Sequence, residues 1–227
     1  MVLEELNILY KDSSILVAVK PVGYLSEPAE GKSFPNLLSE HLVSLGESGE
    51  LFTVHRLDKA VGGLMVFARN HKAASFLTTA VANREMEKEY FAVVRGVPQE
   101  EATLEDLLFR DASKNKTYVV SRYRKGVRDA SLSYRRLAVW QEGEKSLSLV
   151  RVRLHTGRTH QIRVQFASRK MPLVGDIRYG SKDVNRSPAL FSCRLAFTHP
   201  ATGKKMEFSA LPPQEYPWDV FRESLLG

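Results

Sequence analysis

His55, Arg56 and Asp58 place an imidazole, a guanidinium and a carboxylate within four positions, in Thr53 to Asn70, T-V-H-R-L-D-K-A-V-G-G-L-M-V-F-A-R-N. A carboxylate held rigidly at a cleft is placed to take part in chemistry. Gly62-Gly63 and the apolar run Leu64 to Ala68 follow at once, which predicts a loop leading into a buried strand. Such a loop is where a scaffold presents a reactive side chain rigidly. The residues alone also permit, and as a short charged loop favour, a solvated surface ion pair between Arg56 and Asp58.

Two further stretches offer polar groups that the residues alone also permit as plain packing, a Tyr opening a strand and a capped amphipathic helix. Arg84 to Gly96, R-E-M-E-K-E-Y-F-A-V-V-R-G, puts Lys88 and Tyr90 at the entry of a strand predicted over Tyr90–Arg95. Thr156 to Arg163, T-G-R-T-H-Q-I-R, offers His160 and Arg163 three positions apart. Thr159 can cap a helix bearing Ile162 and Phe166, while alternation also permits a strand.

The elements that must position these groups read as short strands and helices. Ile8–Tyr10, the Asp12-Ser13-Ser14 turn and Ile15–Val19 form a strand, turn and strand, ended by Lys20-Pro21-Val22-Gly23. Ser33 caps a helix carrying Leu37, Leu38, His41, Leu42 and Leu45 at helical spacing, and Asn70 starts one with Ala73, Phe76, Leu77 and Ala80 on one face. Residues 99–117 read as polar and irregular, followed by a short strand over Val119–Tyr123. Val139-Trp140 continues a strand. In Ser146–Leu154 the alternation changes phase, which predicts a β-bulge near Leu149-Val150. Leu190–Phe197 and Met206–Ser209 flank the turn His199-Pro200-Ala201-Thr202-Gly203.

H-R-L-D at 55–58, with two residues, a small pair, Gly63 and an apolar strand behind it, resembles the catalytic motif of pseudouridine synthases of the RluA/RsuA type, usually H-R-L-D-x-x-T-S-G-L-L-L-F-A. Val61 and Gly62 stand where Thr and Ser are usual. The resemblance continues in family order: Ile8 to Asp12, Lys20 to Gly23, K-x-Y at 88–90, Gly126 to Tyr134, T-G-R-T-H-Q-I-R at 156–163, P-L-V-G-D-I-R-Y-G at 172–180 and H-P-A-T-G at 199–203. Departures are Ser133 for Thr, His155 ahead of the third motif and Gln165 where His is common. This collinearity implies isomerisation of uridine to pseudouridine in structured RNA, rRNA or tRNA, by a cytoplasmic enzyme. It implies an α+β fold with a mixed, largely antiparallel central sheet and flanking helices, built as one catalytic domain over 1–227. Many members carry an RNA-binding S4 domain first. Only seven residues precede Ile8, so none is expected there.

The resemblance implies roles residue by residue. Asp58 is the essential carboxylate. Arg163 pairs with it, fixing its orientation and favouring the charged form. Tyr90 lines the site, where a phenol can stack on uracil or relay a proton. Arg56 holds the RNA once the uridine is extruded, Ile162 packs under the base, and His55, Arg158 and His160 join the substrate-binding set. Whether Asp58 attacks C1′, adds to the base or assists ribose proton removal stays open. So do two other classes, a non-catalytic RNA-binding protein and a hydrolytic nucleosidase. The latter normally needs a second carboxylate, which no motif supplies.

Composition sets bounds. The net charge is +7. Arg110 to Arg136 holds nine Lys or Arg against two Asp, so this segment equals the whole excess and favours a polyanion partner. Arg122, Arg124, Lys125 and Arg128 are therefore candidate RNA contacts. The length of 227 residues allows one large domain or two small ones. No apolar run approaches the roughly 20 residues of a membrane span, and the N-terminus lacks a signal-peptide pattern. One cysteine, Cys193, excludes an internal disulfide. No zinc-like spacing, G-x-G-x-x-G or Walker loop occurs, so no metal or cofactor is expected. The chain is expected to act as a monomer.

Overall fold

The structure is a computed structural model and describes residues 6–183 and 186–226. The chain folds into two compact units. The first comprises residues 1–88 and 192–210, the second residues 89–191 and 211–227.

In the first unit, β1 (Ile8–Lys11) pairs with β2 (Ile15–Lys20), and β2 with β4 (Gly62–Ala68), which also takes the short β3 (Phe52–Thr53). β10 (Leu190–Thr198) and β11 (Lys205–Ser209) form a hairpin. These pairings are antiparallel. The run predicted from Leu64 to Ala68 is buried at every position of β4. Two helices stand where their caps predict. α1 (Phe34–Ser44) begins at Ser33, whose side chain accepts from the amide of Asn36. α2 (His71–Ala82) begins at Asn70, whose Oδ1 accepts from the Ala73 amide at 2.9 Å. Phe76 and Leu45 depart from the expected apolar faces, at 40% and 57% exposed. The core joins Ile15, Val17, Leu64, Val66, Ala73, Leu77, Leu195 and Phe197. His199 ties the two hairpins together. Its Nε2 lies 2.8 Å from Asp12 Oδ2, and its Nδ1 accepts from the amides of Ala201 and Thr202.

The second unit is a five-strand antiparallel run. β5 (Glu87–Arg95) pairs with β9 (Lys145–Leu154), β9 with β8 (Val127–Glu142), β8 with β6 (Glu101–Asp111), and β6 with β7 (Lys116–Val120). α3 (Gln161–Ala167) packs on this sheet, and α4 (Arg222–Leu226) lies near the chain end. The fold class is α+β, as expected.

Two expectations need correction. Residues 101–111 are not irregular: they form β6, an eleven-residue strand. Only Leu104 and Leu108 of it are buried, so polar exposed positions dilute its alternation. The bulge lies not in β9 but opposite it. The register shifts in β8 between Arg136 and Ala138, across from Val150 and Leu149. β9 itself runs unbroken along β5, and Leu147, Leu149, Val150 and Val152 are all buried because the middle of β9 is covered on both faces.

Candidate active site

The polar candidates around Asp58 and around Arg163 form two clusters, one in each unit, with Tyr90 and the cations of 122–128 elsewhere in the second. The first is the loop between β3 and β4. Its anchor is Ser26, whose Oγ accepts from the Leu57 amide at 3.0 Å and donates to the Leu57 carbonyl at 2.8 Å. Thr53 Oγ1 donates to the Ser26 carbonyl at 3.1 Å. Two hydrogen bonds therefore hold Leu57, the residue preceding Asp58, to Ser26 some thirty positions earlier, and a third ties Thr53 to the same residue. The Val61 amide closes a turn onto the Asp58 carbonyl at 2.9 Å, and the Gly23 amide reaches the Lys59 carbonyl at 2.8 Å. Val61, standing where the family has Thr, is 2% exposed and packs as a core residue. Gly63 has φ of +119°, and a Cβ there would lie 2.4 Å from the Ser192 backbone. Only glycine fits such a close approach.

Arg56 is exposed and forks onto Glu27, with Nη1 at 3.1 Å from both carboxylate oxygens. His55 is buried. Its Nε2 accepts from the Val66 amide at 3.1 Å, which places the ring proton on Nδ1. The ring thus braces the loop against β4. Burial, with the Lys88 charge adding to it, pushes the imidazole down to about 3.

Lys20, in sequence the first residue of a strand-ending turn, belongs to this cluster. It is fully buried at the end of β2, and Nζ donates to the carbonyls of Pro21 at 3.0 Å and Tyr24 at 2.9 Å. Burial brings the ammonium down to about 8, and the Asp58 carboxylate opposes that shift. Asp58 therefore lies in the field of a buried cation. The local signal was present: a lysine continuing an otherwise apolar strand, I-L-V-A-V-K, is either at the surface or paired.

A stability effect follows from His55. The imidazole ordinarily titrates near 6.5, so in acid the unfolded chain binds a proton that the folded chain refuses. Stability is whole above about 6.5 and is lost as pH falls toward the folded value, by about 1.4 kcal/mol per pH unit. His55→Gln, whose side-chain oxygen can accept from Val66, is expected to flatten this slope between pH 6.5 and 5 in urea titrations. Parallel slopes for variant and wild type would show that His55 is not the titrating group.

The second cluster is built around α3, a helix where the sequence permitted helix or strand. Its N-cap is His160 in the left-handed region, with φ of 54° and no side-chain cap bond, so Thr159 is not the cap. Gln161 organises the turn instead. Its Oε1 accepts from Thr156 Oγ1 at 2.8 Å and from the Arg158 amide at 3.0 Å. Arg163 is 5% exposed, and its Nε and Nη2 fork onto Asp176 at 2.7 and 2.8 Å. Its guanidinium also lies 5.1 Å from the centroid of the Tyr179 ring. The Tyr179 hydroxyl meets His160 Nδ1 at 2.9 Å and accepts from the Thr117 amide at 2.9 Å. Asp176 and Tyr179 both come from the segment P-L-V-G-D-I-R-Y-G, a family motif whose spacing alone assigns its polar residues no role. Ile162 is buried beside Arg163, and Gln165 donates to Asp106 Oδ2 at 2.8 Å, tying α3 to β6.

Tyr90 is 6% exposed in β5. It stands opposite Val152, which in turn stands opposite Tyr134. Arg122, Arg124 and Lys125 occupy the exposed connector between β7 and β8, and Arg128 is exposed at the start of β8. Arg135 and Arg136 of the same basic segment lie further along β8, and Arg136 donates to the Pro98 carbonyl. Of the basic run, the part over 122–128 forms the cluster. Among the described residues no helix is long and apolar enough to cross a membrane.

Comparison with known proteins fits this architecture. The human RNA pseudouridylate synthase domain containing 1 superposes with a TM-score of 0.79 at 22% identity, covering 97% of this chain and 89% of that one. That likeness defines the fold. A family model described as RNA pseudouridylate synthase matches residues 14–168. Ribosomal large subunit pseudouridine synthase D of Vibrio cholerae is 34% identical over 229 residues, 92% of this chain and 68% of the relative. A Bacillus subtilis protein named as an uncharacterized RNA pseudouridine synthase is 34% identical over 221 residues, 93% of this chain and 70% of that one. The chain belongs to the RNA pseudouridine synthase family, whose members are isomerases.

Proposed function

We propose that Asp58 is the essential carboxylate of this pseudouridine synthase and that the substrate is a uridine in ribosomal RNA. The observation that carries the first point is the loop itself. Ser26 clamps the residue before Asp58, and the buried Lys20 ammonium lies close enough for the two charges to interact. A carboxylate so held can stabilise or trap the sugar as the C1′–N1 bond breaks. The uracil then turns and C5 bonds to C1′. The C5 proton departs and N1 gains one, so atoms and electrons balance without an external oxidant or reductant.

Arg163 supports Asp58 in this reading. Asp176 fixes the Arg163 guanidinium, and the family resemblance gives Arg163 the part of keeping Asp58 charged and oriented. Tyr90 stacks on the uracil or relays a proton, and Ile162 packs beneath it. Arg56 holds the RNA after extrusion, which costs a few kcal/mol of unstacking. His55 and His160 contribute through the loops they brace, and Arg158 through the basic connector it supports. The ribosomal assignment follows the name of the Vibrio cholerae relative. The two units work as one catalytic module over 1–227, in the cytoplasm and as a monomer.

Single-turnover conversion of a tritiated ribosomal RNA fragment tests the reading. Pseudouridine is expected as the product. Free uracil would make the protein a nucleosidase, and no change would leave an RNA-binding protein.

The exposed cations over 122–128 are the footprint on RNA. Replacing Arg122, Arg124, Lys125 and Arg128 by Ser is expected to weaken binding and flatten the plot of log affinity against log salt. Each lost single-strand phosphate contact lowers the slope by about 0.7. Fluorescence anisotropy across 50–300 mM KCl reads it, and an unchanged slope would move the footprint elsewhere.

A further inference from the structure

The connector between β7 and β8 carries an aromatic ring that none of the family motifs uses. Tyr123 is 67% exposed, in sequence between Arg122 and Arg124. An exposed ring on a loop is ordinarily free to swing, but this one is tethered. Its hydroxyl donates to Asp129 Oδ1. That bond also raises the phenol above its ordinary value, so it stays a donor. The Asp129 carbonyl in turn accepts from Arg158 Nε at 2.9 Å, and Arg158 belongs to the stretch that carries Arg163. Arg124 is held as well, with its guanidinium 4.4 Å from the centroid of Phe109. Val119 to Arg124 together line an open concavity.

These features select a ligand. The Asp129 carboxylate occupies the hydroxyl edge of the ring and repels a phosphate there. The ring face remains for a neutral planar group, while Arg122, Arg124, Lys125 and Arg128 suit the phosphates on either side. An acidic peptide would need the cations but not a fixed ring. Resting on the RNA-modifying reading above, we propose that Tyr123 is a stacking platform for one unpaired RNA base flanking the target uridine, and that it adds a preference for single-stranded over duplex RNA at this point.

The test uses the full chain and a single-stranded RNA oligonucleotide containing 2-aminopurine, with a matching duplex. Tyr123→Ala is expected to lose about tenfold in affinity for the single strand and much less for the duplex. The quenching of 2-aminopurine should vanish with it. The salt slope should stay as in wild type, because stacking releases no counterions. Tyr123→Trp should restore affinity and quenching, and Tyr123→Phe, lacking the Asp129 tether, should fall between. Unchanged affinity and quenching in Tyr123→Ala, or a flattened salt slope, would overturn the proposal. So would competition by poly-glutamate as effective as that by RNA, which would point to a protein partner. Pseudouridine formation by wild type is scored separately. Its absence would sink the enzymatic reading, whereas the quenching would still report whether Tyr123 stacks on a base.

Discussion

Asp58→Asn is expected to bind RNA with wild-type affinity and to make pseudouridine at least about a thousandfold more slowly. The amide keeps the shape of the carboxylate, so the Ser26 clamp on Leu57 and the turn from Val61 survive. The anion does not survive, and with it goes the electrostatic stabilisation that dominates steps in which charge develops. Single-turnover assays with anisotropy on the same RNA separate the two quantities. Substantial product from Asp58→Asn would remove this carboxylate from the chemistry. Wild-type activity should also decline above about pH 8, where Lys20 gives up its proton and Asp58 loses that neighbouring cation. Lys20→Met should lack this alkaline limb while retaining some activity. A limb that persists unchanged would belong to another group.

Asp176→Ala is expected to cost about 3–5 kcal/mol of stability. It strips a carboxylate from a guanidinium whose side chain is 6% exposed, in a pair whose other member is 1% exposed. For a chain of this size each kcal/mol lowers the melting temperature by about 2–4 °C, so a fall of roughly 6–20 °C is expected. Replacing both members with apolar residues of similar volume, Arg163→Met with Asp176→Leu, should recover much of the loss, because neither buried charge then remains. The double variant should fold yet be a poor enzyme, since the guanidinium proposed to support the chemistry is gone. Calorimetry and single-turnover rates read the two effects independently. A loss below about 1 kcal/mol in Asp176→Ala would mean that water replaces the carboxylate with ease.

What was legible in the sequence divides along physical lines. α1 and α2 were readable because capping is local: Ser33 and Asn70 each act on an amide three residues ahead. β4 was readable because an apolar run between a glycine pair and a basic-polar stop has few other uses. β6 was not, since a strand with only two buried side chains alternates weakly. The β8 bulge was misplaced because a phase change in one strand can arise from its covering layers as well as from its own backbone. In the candidate site, Asp58, Tyr90 and Arg163 stood out through family motifs. Asp176 lay in a motif too, but its role depends on a partner thirteen residues away on another element. Lys20 acts on a loop almost forty positions later, so its place in an apolar strand could signal a partner but not which one.

The way the chain divides bears on its synthesis. The N-terminal unit owns residues 1–88 yet shares its core with Leu195 and Phe197 from the returning segment 192–210. On a ribosome adding about 5–20 residues per second, all of residues 89–191 must emerge first, a delay of roughly 5–20 s. Throughout that interval the apolar faces of β2, β4 and α2 lack Leu195 and Phe197, and the close contact that Gly63 makes with Ser192 has nothing to meet. The loop bearing Asp58 leads into β4, so the carboxylate proposed for the chemistry is set in place only after a segment made long after it has arrived.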